Sequence, residues 1–161
     1  MTTIYIETSI VSYLRQRPSS QVVAAARQLL THQWWNVERK KYELVTSQFC
    51  LDEAAGGEPS LAAERLESLE GIPLLPLDPR FNSIAEELIS RSILPPTAVI
   101  DAIHIGLVAF HGIEYLLTWN CRHIANAKIL PRIHQTLSEM GYPIPIICTP
   151  EEMLEDDPAK P

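Results

Sequence analysis

Thr97 to Asn126 reads TAVIDAIHIGLVAFHGIEYLLTWNCRHIAN, and the fold turns on how this stretch is read. Val99, Ile100, Ile103, Ile105, Leu107, Val108 and Phe110 make a helix that is apolar on most sides, which marks it as buried. Gly112 ends it, and Tyr115-Leu116-Leu117-Thr118 follows as a short buried strand. The helix carries Asp101 near its start, where the helix dipole favours a carboxylate. Thr118 and Asn120 stand where the strand should end. Open α/β sheets bind ligands at the carboxyl ends of their strands, so both features point to one edge of a sheet.

Working outward, Ile4-Tyr5-Ile6 reads as a buried first strand with Glu7-Thr8-Ser9 at its end, where Thr8 or Ser9 could cap a helix. A second helix begins near Pro18 and carries Val22, Ala26, Leu29, Leu30, Trp34 and Val37. Tyr42–Thr46 is a second strand, Ser47 an N-cap, and the helix after it bears Asp52 and Glu53 before Gly56-Gly57. Ile72–Leu77 is a third extended run whose prolines suit a sheet edge. Asp78-Pro79 opens a helix with the stripe Phe81, Ile84, Ala85, Leu88, Ile89. Leu130, Ile133, Leu137 and Met140 mark another helix, ended by Gly141, and Ile144–Ile147 is a last strand. Strands alternating with helices predict an α/β fold: a three-layer α/β/α sandwich around a central, mostly parallel sheet. One domain over residues 1–150 is expected, with a short helix opened by Thr149-Pro150-Glu151-Glu152 and a frayed acidic tail over 151–161.

The chain of 161 residues, 46% apolar and 20% charged, has the composition of a globular protein with a real core. No apolar run is long enough for a membrane span, and MTTIYIETSI lacks the basic start of a signal peptide. Cys50, Cys121 and Cys148 are scattered and suggest reduced thiols in a cytoplasm. A net charge of −7 argues against a broadly basic nucleic-acid binder. However, five of the 20 acids and one of the 13 bases fall in the last eleven residues, which leaves 15 against 12.

In a parallel sheet, Glu7, Glu53, Asp101 and Asn120 would converge at one edge. Clustered carboxylates repel unless a cation neutralises them. Oxygen ligands suit Mg²⁺ or Mn²⁺, and no His/Cys set favours zinc. Asp52 adjoins Glu53, and neighbouring helix positions point differently, so only one of them should enter the site. His104 and His111 share a stripe with Asp101 and are read chiefly as structural. Trp34, Trp35 and Trp119 read as packing or interface residues ahead of the alternative, RNA-stacking platforms. Arg15, Arg17, Arg122, His123, Lys128 and the Arg39-Lys40-Lys41 cluster are candidate phosphate contacts, or plain surface.

At Tyr5–Ser9, Ser47–Glu53 before the Gly pair, Asp101-Ala102-Ile103-His104 and Leu117–Asn120, the chain resembles the PIN-domain family of metal-dependent nucleases. The likeness is strongest to the VapC-type toxins of toxin–antitoxin modules and spans roughly residues 2–150. The family's usual first acid is Asp where this chain has Glu7, and a fourth acid often stands where it has Asn120. The resemblance implies an endoribonuclease that leaves 5′-phosphate products. Glu7, Glu53 and Asp101 would hold the metal with help from Asn120, and Thr8, Ser9 and Thr118 would support from behind. It also implies RNA as substrate, inhibition by a small antitoxin, and a homodimer. The alternative is a PIN fold with a degraded metal site, acting as an RNA-binding or partner-docking module.

Overall fold

The computed structural model describes residues 1–156. Four strands form one sheet in the order β2-β1-β3-β4, every pair parallel: β1 (Thr2–Ile6), β2 (Tyr42–Val45), β3 (Tyr115–Leu117) and β4 (Ile146–Cys148). Ile4 faces Leu44 on one side and Tyr115 on the other, and Leu117 faces Cys148. The side-chain period of two divides the core. Tyr5, Leu116 and Ile147 point to one face, where α5 (Arg80–Ser90), α6 (Val99–Phe110) and α7 (Leu130–Glu139) pack with Ile84, Leu88, Ile105, Val108 and Leu137. Ile4, Ile6, Leu117 and Cys148 point to the other, against α1 (Thr8–Arg15), α2 (Val22–Asn36), α3 (Gln48–Ala54) and α4 (Pro59–Leu69). The result is the three-layer α/β/α sandwich. Each fully buried Ile or Leu side chain contributes about 1.5–3 kcal/mol of transfer free energy.

After β1 the chain moves outward to β2, then returns to β3 on the opposite side of β1. The strand order therefore reverses between β1 and β3, and the crevice at their carboxyl ends is where such sheets bind ligands. Glu7 and Thr118 stand there, extending the ladder with Glu7 N–H to Leu117 O at 3.1 Å and Thr118 N–H to Cys148 O at 3.0 Å.

Helix α6 packs closely on α5. At Gly106 a Cβ would lie 2.9 Å from the Phe81 carbonyl oxygen, so only glycine fits that approach. Gly112 ends α6 with a φ of +64°, the left-handed turn that glycine adopts freely.

Several expected details differ. The run Ile72–Leu77 lies beside β2 but makes only one parallel bridge, Leu74 to Thr46. Pro73 and Pro76 lack the N–H groups that a longer ladder needs. Helix α1 is capped by Glu7 itself, whose carboxylate accepts the Ser9 N–H at 3.0 Å, and not by Thr8 or Ser9. The second helix starts at Val22, well past Pro18. The last strand is shifted to Ile146–Cys148, because Pro145 cannot donate to β3. At the expected C-terminal helix, Glu152 accepts the Thr149 N–H at 2.9 Å, but only a 3₁₀ turn over Glu151–Met153 follows. The expected fraying of the acidic tail falls largely on 157–161, outside the described residues. Trp34 is fully buried and stacks on Tyr42, while Trp119 is buried and donates its indole N–H to Thr31 Oγ1 at 2.7 Å. Among the described residues no helix is long and apolar enough to cross a membrane.

Candidate metal centre

Glu7 follows β1 directly and is 4% exposed. One carboxylate oxygen, Oε2, accepts hydrogen bonds from the Ser9 backbone N–H, from Ser9 Oγ and from Thr118 Oγ1, the last at 2.7 Å. The other oxygen takes no hydrogen bond from the described residues. Thr118 in turn accepts the Asn120 N–H at 2.9 Å. Thus the ends of β1 and β3 jointly fix one buried carboxylate. Such support is what holds a metal-ligating oxygen in place.

Glu53 comes from the last turn of α3, whose start is set by Ser47 accepting the Cys50 N–H at 3.3 Å. Its Oε1 accepts Thr8 Oγ1–H at 2.7 Å and His104 Nε2–H at 2.6 Å, which again leaves the second oxygen without a partner among the described residues. With 36% of its side chain exposed, Glu53 opens toward solvent. Asp52 points elsewhere and accepts Gln48 Nε2–H at 2.9 Å on the outer side of the helix.

His104 is completely buried on α6. Its Nδ1 lies 2.7 Å from the Tyr5 hydroxyl, which lies 2.6 Å from Ser47 Oγ. Either protonation state finds partners in this chain: a neutral ring accepts the Tyr5 O–H, and an imidazolium donates to the Tyr5 oxygen. Burial pushes the His104 pKa down, but the Glu53 hydrogen bond and the charges of Glu7, Glu53 and Asp101 outweigh it, and the net shift is upward. For Glu53, burial pushes up, while the His104 bond and charge and the Thr8 bond prevail and hold it below the usual range. Tyr5 is raised well above its ordinary value, chiefly by burial.

One ligand atom each from Glu7, Glu53 and His104 lies within 4.8 Å of the others, close enough to share one cation. The two unpartnered carboxylate oxygens are the fitting donors for a hard divalent ion. His104 has both nitrogens engaged, so it stands behind Glu53 as an orienting group.

The structure does not draw Asp101 into this tight group. Asp101 lies one helical turn before His104, its side chain 18% exposed, and its Oδ2 takes a bond from His123 Nδ1 at 3.0 Å. Its charge still reaches the site, since it helps to raise the His104 pKa. Asn120 also shapes the loop after β3. Its Oδ1 accepts the His123 N–H at 3.0 Å and caps the turn after β3, as asparagine commonly does. That bond uses one of the two lone pairs of the amide oxygen.

Thr8, Ser9 and Thr118 all donate to Glu7 or Glu53. Tyr5 and His104 were the residues the sequence reading left out of the site. Their signals were present: Tyr5 shares strand parity with Glu7, and His104 lies three residues after Asp101 on one helix face. His111, on the same stripe, instead donates Nε2–H to the Pro76 carbonyl at 2.8 Å and holds a loop. Compared with known proteins, the chain matches no family model, no curated sequence and no solved structure.

Proposed function

We propose that this protein is a Mg²⁺- or Mn²⁺-dependent endoribonuclease of the cytoplasm that hydrolyses RNA phosphodiester bonds, and that it is the toxin of a toxin–antitoxin pair. The reading joins the PIN-like motifs to one observation. Glu7 and Glu53 meet at the β1/β3 crevice, each with one oxygen fixed by side-chain donors and one without a partner among the described residues. A hard divalent cation supplies Lewis acidity toward a phosphodiester oxygen and acidifies water. The chain's own residues do the rest. Ser9 and Thr118 orient Glu7, Thr8 and His104 orient Glu53, and His123 orients Asp101. Fixing the acids in advance lowers the reorganisation needed when the phosphate arrives.

The same resemblance supports a small antitoxin protein as partner and a homodimer in the free protein. Light scattering tests the dimer, and co-purification from the native host tests the antitoxin. Trp34, one of the packing or interface candidates, is fully buried in the core and so gives the dimer no support.

A second reading has its own observations. His104 pairs with Glu53 at 2.6 Å, and Asn120 brings no fourth charge, so the acids are partly compensated without a cation. This favours a docking module with a degraded site. Incubation of single-stranded RNA with Mn²⁺ or with EDTA separates the two. The nuclease reading expects Mn²⁺-dependent cleavage by wild type and its loss in Asp101→Asn. Intact RNA under every condition leaves the docking module.

A further inference from the structure

Arg27, on α2, carries a half-buried guanidinium with almost no hydrogen-bonding partner. Its Cζ lies over the rings of Trp119 and Tyr13, at 5.2 and 5.8 Å from their centroids. The two rings meet edge to face at 6.1 Å and 66° and form a fixed platform. Nη1 donates to the Tyr13 hydroxyl at 3.3 Å, and Nη2 approaches Cys121 Sγ at 3.9 Å. Among the described residues it forms no ion pair, whereas Arg15, Arg80 and Arg91 each pair with a carboxylate. A guanidinium has five N–H donors, so one oxygen and one sulfur leave most of them unanswered. Its Cζ lies over aromatic rings, and a stacked guanidinium with spare N–H donors suits phosphate.

The platform adjoins the acids. The Trp119 backbone N–H donates to Ser9 Oγ at 2.7 Å, and Ser9 Oγ donates to Glu7, so the Ser9 side chain joins the backbone at the platform residue to that carboxylate. Cys121 is followed within two residues by His123, which bonds Asp101. Two residues span about 7 Å at most. Arg39 over Trp35 is a similar stack, but it precedes β2, at the far edge of the sheet from the acids.

We infer that Arg27 is a binding residue for a phosphate of single-stranded RNA that flanks the phosphate at the acids. The inference rests on the ribonuclease reading. Glu7, Glu53 and Asp101 repel a polyanion, and a fixed cation beside them offsets that repulsion and sets the strand's path.

The test uses a labelled single-stranded oligoribonucleotide, with anisotropy read in Ca²⁺ across a salt series and the RNA checked as intact on a gel. Wild type, Arg27→Gln and Arg27→Lys are compared, and Mn²⁺ binding is measured alongside by calorimetry. Arg27→Gln is expected to weaken RNA binding by roughly tenfold, as loss of one charge-assisted contact does. It should also flatten the log–log salt slope by about 0.7. Arg27→Lys should restore the slope but not the full affinity, and Mn²⁺ binding should be the same in all three. A purely structural Arg27 would not change the slope. Wild-type affinity and slope in Arg27→Gln, with wild type binding RNA, overturn the inference and leave the nuclease reading standing. Wild type that binds Mn²⁺ but no RNA overturns both. If Arg27→Gln does not fold, Arg27→Lys decides: weaker binding at unchanged slope supports the inference, and wild-type affinity overturns it. An acidic peptide that displaces the RNA from wild type and binds Arg27→Gln poorly overturns the assignment to RNA and gives the platform to a protein partner.

Discussion

The residue with the widest consequences is His104. It joins a buried tyrosine to an acid that opens on solvent, and it does so from the interior of the most apolar helix in the chain. A buried polar group of this kind persists only when fully satisfied, and here both ring nitrogens are. Replacing it with a ring of similar shape, His104→Phe, leaves the Tyr5 hydroxyl and Glu53 each short of one bond. We expect about 1–3 kcal/mol of lost stability from the unmet buried groups, seen as a lower midpoint in urea. Mn²⁺ affinity should fall by about 10–100-fold, the usual penalty for removing the group behind a ligand. Unchanged affinity in the folded variant would show that His104 serves the core alone. Glu7 was legible from sequence because an acid directly after a buried apolar strand has one place to go. The role of His104 was not, since it depends on Glu53 and Tyr5, which are 51 and 99 residues away along the chain.

At the scale of elements, β1 and α6 position the site, and the close fit of α6 on α5 keeps Asp101 and His104 where they are. Gly106→Ala forces a Cβ against the Phe81 carbonyl, with backbone on both sides and little room to yield. Overpacking of this kind costs about 1–3 kcal/mol, which thermal unfolding would register. An unchanged midpoint would mean that α5 and α6 can separate freely. Asp78 shows how a helix start responds to pH. Its carboxylate accepts the Arg80 backbone N–H at 2.9 Å and pairs with the Arg80 guanidinium at 2.8 Å. These bonds hold its pKa down at about 2, against an ordinary 3.8. A depressed folded-state pKa means that its contribution is complete above pH 3.8 and disappears as the pH falls through about 2. The stability gap between wild type and Asp78→Asn should therefore be level at neutral pH and close across that acid range. A gap that widens toward acid would contradict the assignment. Alternating strands and helices were legible because buried parallel strands are short apolar runs and the helices carry clear stripes. The extended run Ile72–Leu77 has an apolar pattern that fits a sheet and lies at its edge, but Pro73 and Pro76 withhold the donors, and one bridge is all that forms.

For the whole molecule, the strand order determines where chemistry can sit. Because β1 has β2 on one side and β3 on the other, the carboxyl ends of β1 and β3 open a crevice, and residues from α1, α3 and α6 converge on it. At the crevice itself, Glu7 and Glu53 repel a polyanionic substrate unless a cation stands between them. On this account the intervening cation is a divalent ion between Glu7 and Glu53. The most direct test is a calorimetric titration of Mn²⁺ into wild type and into Glu7→Gln, which keeps its size and loses its charge. The account predicts saturable binding by wild type at millimolar concentration or below, and loss of that binding in a folded Glu7→Gln. Wild type that takes up no Mn²⁺ at millimolar concentration, or Glu7→Gln that binds as well as wild type, would contradict it.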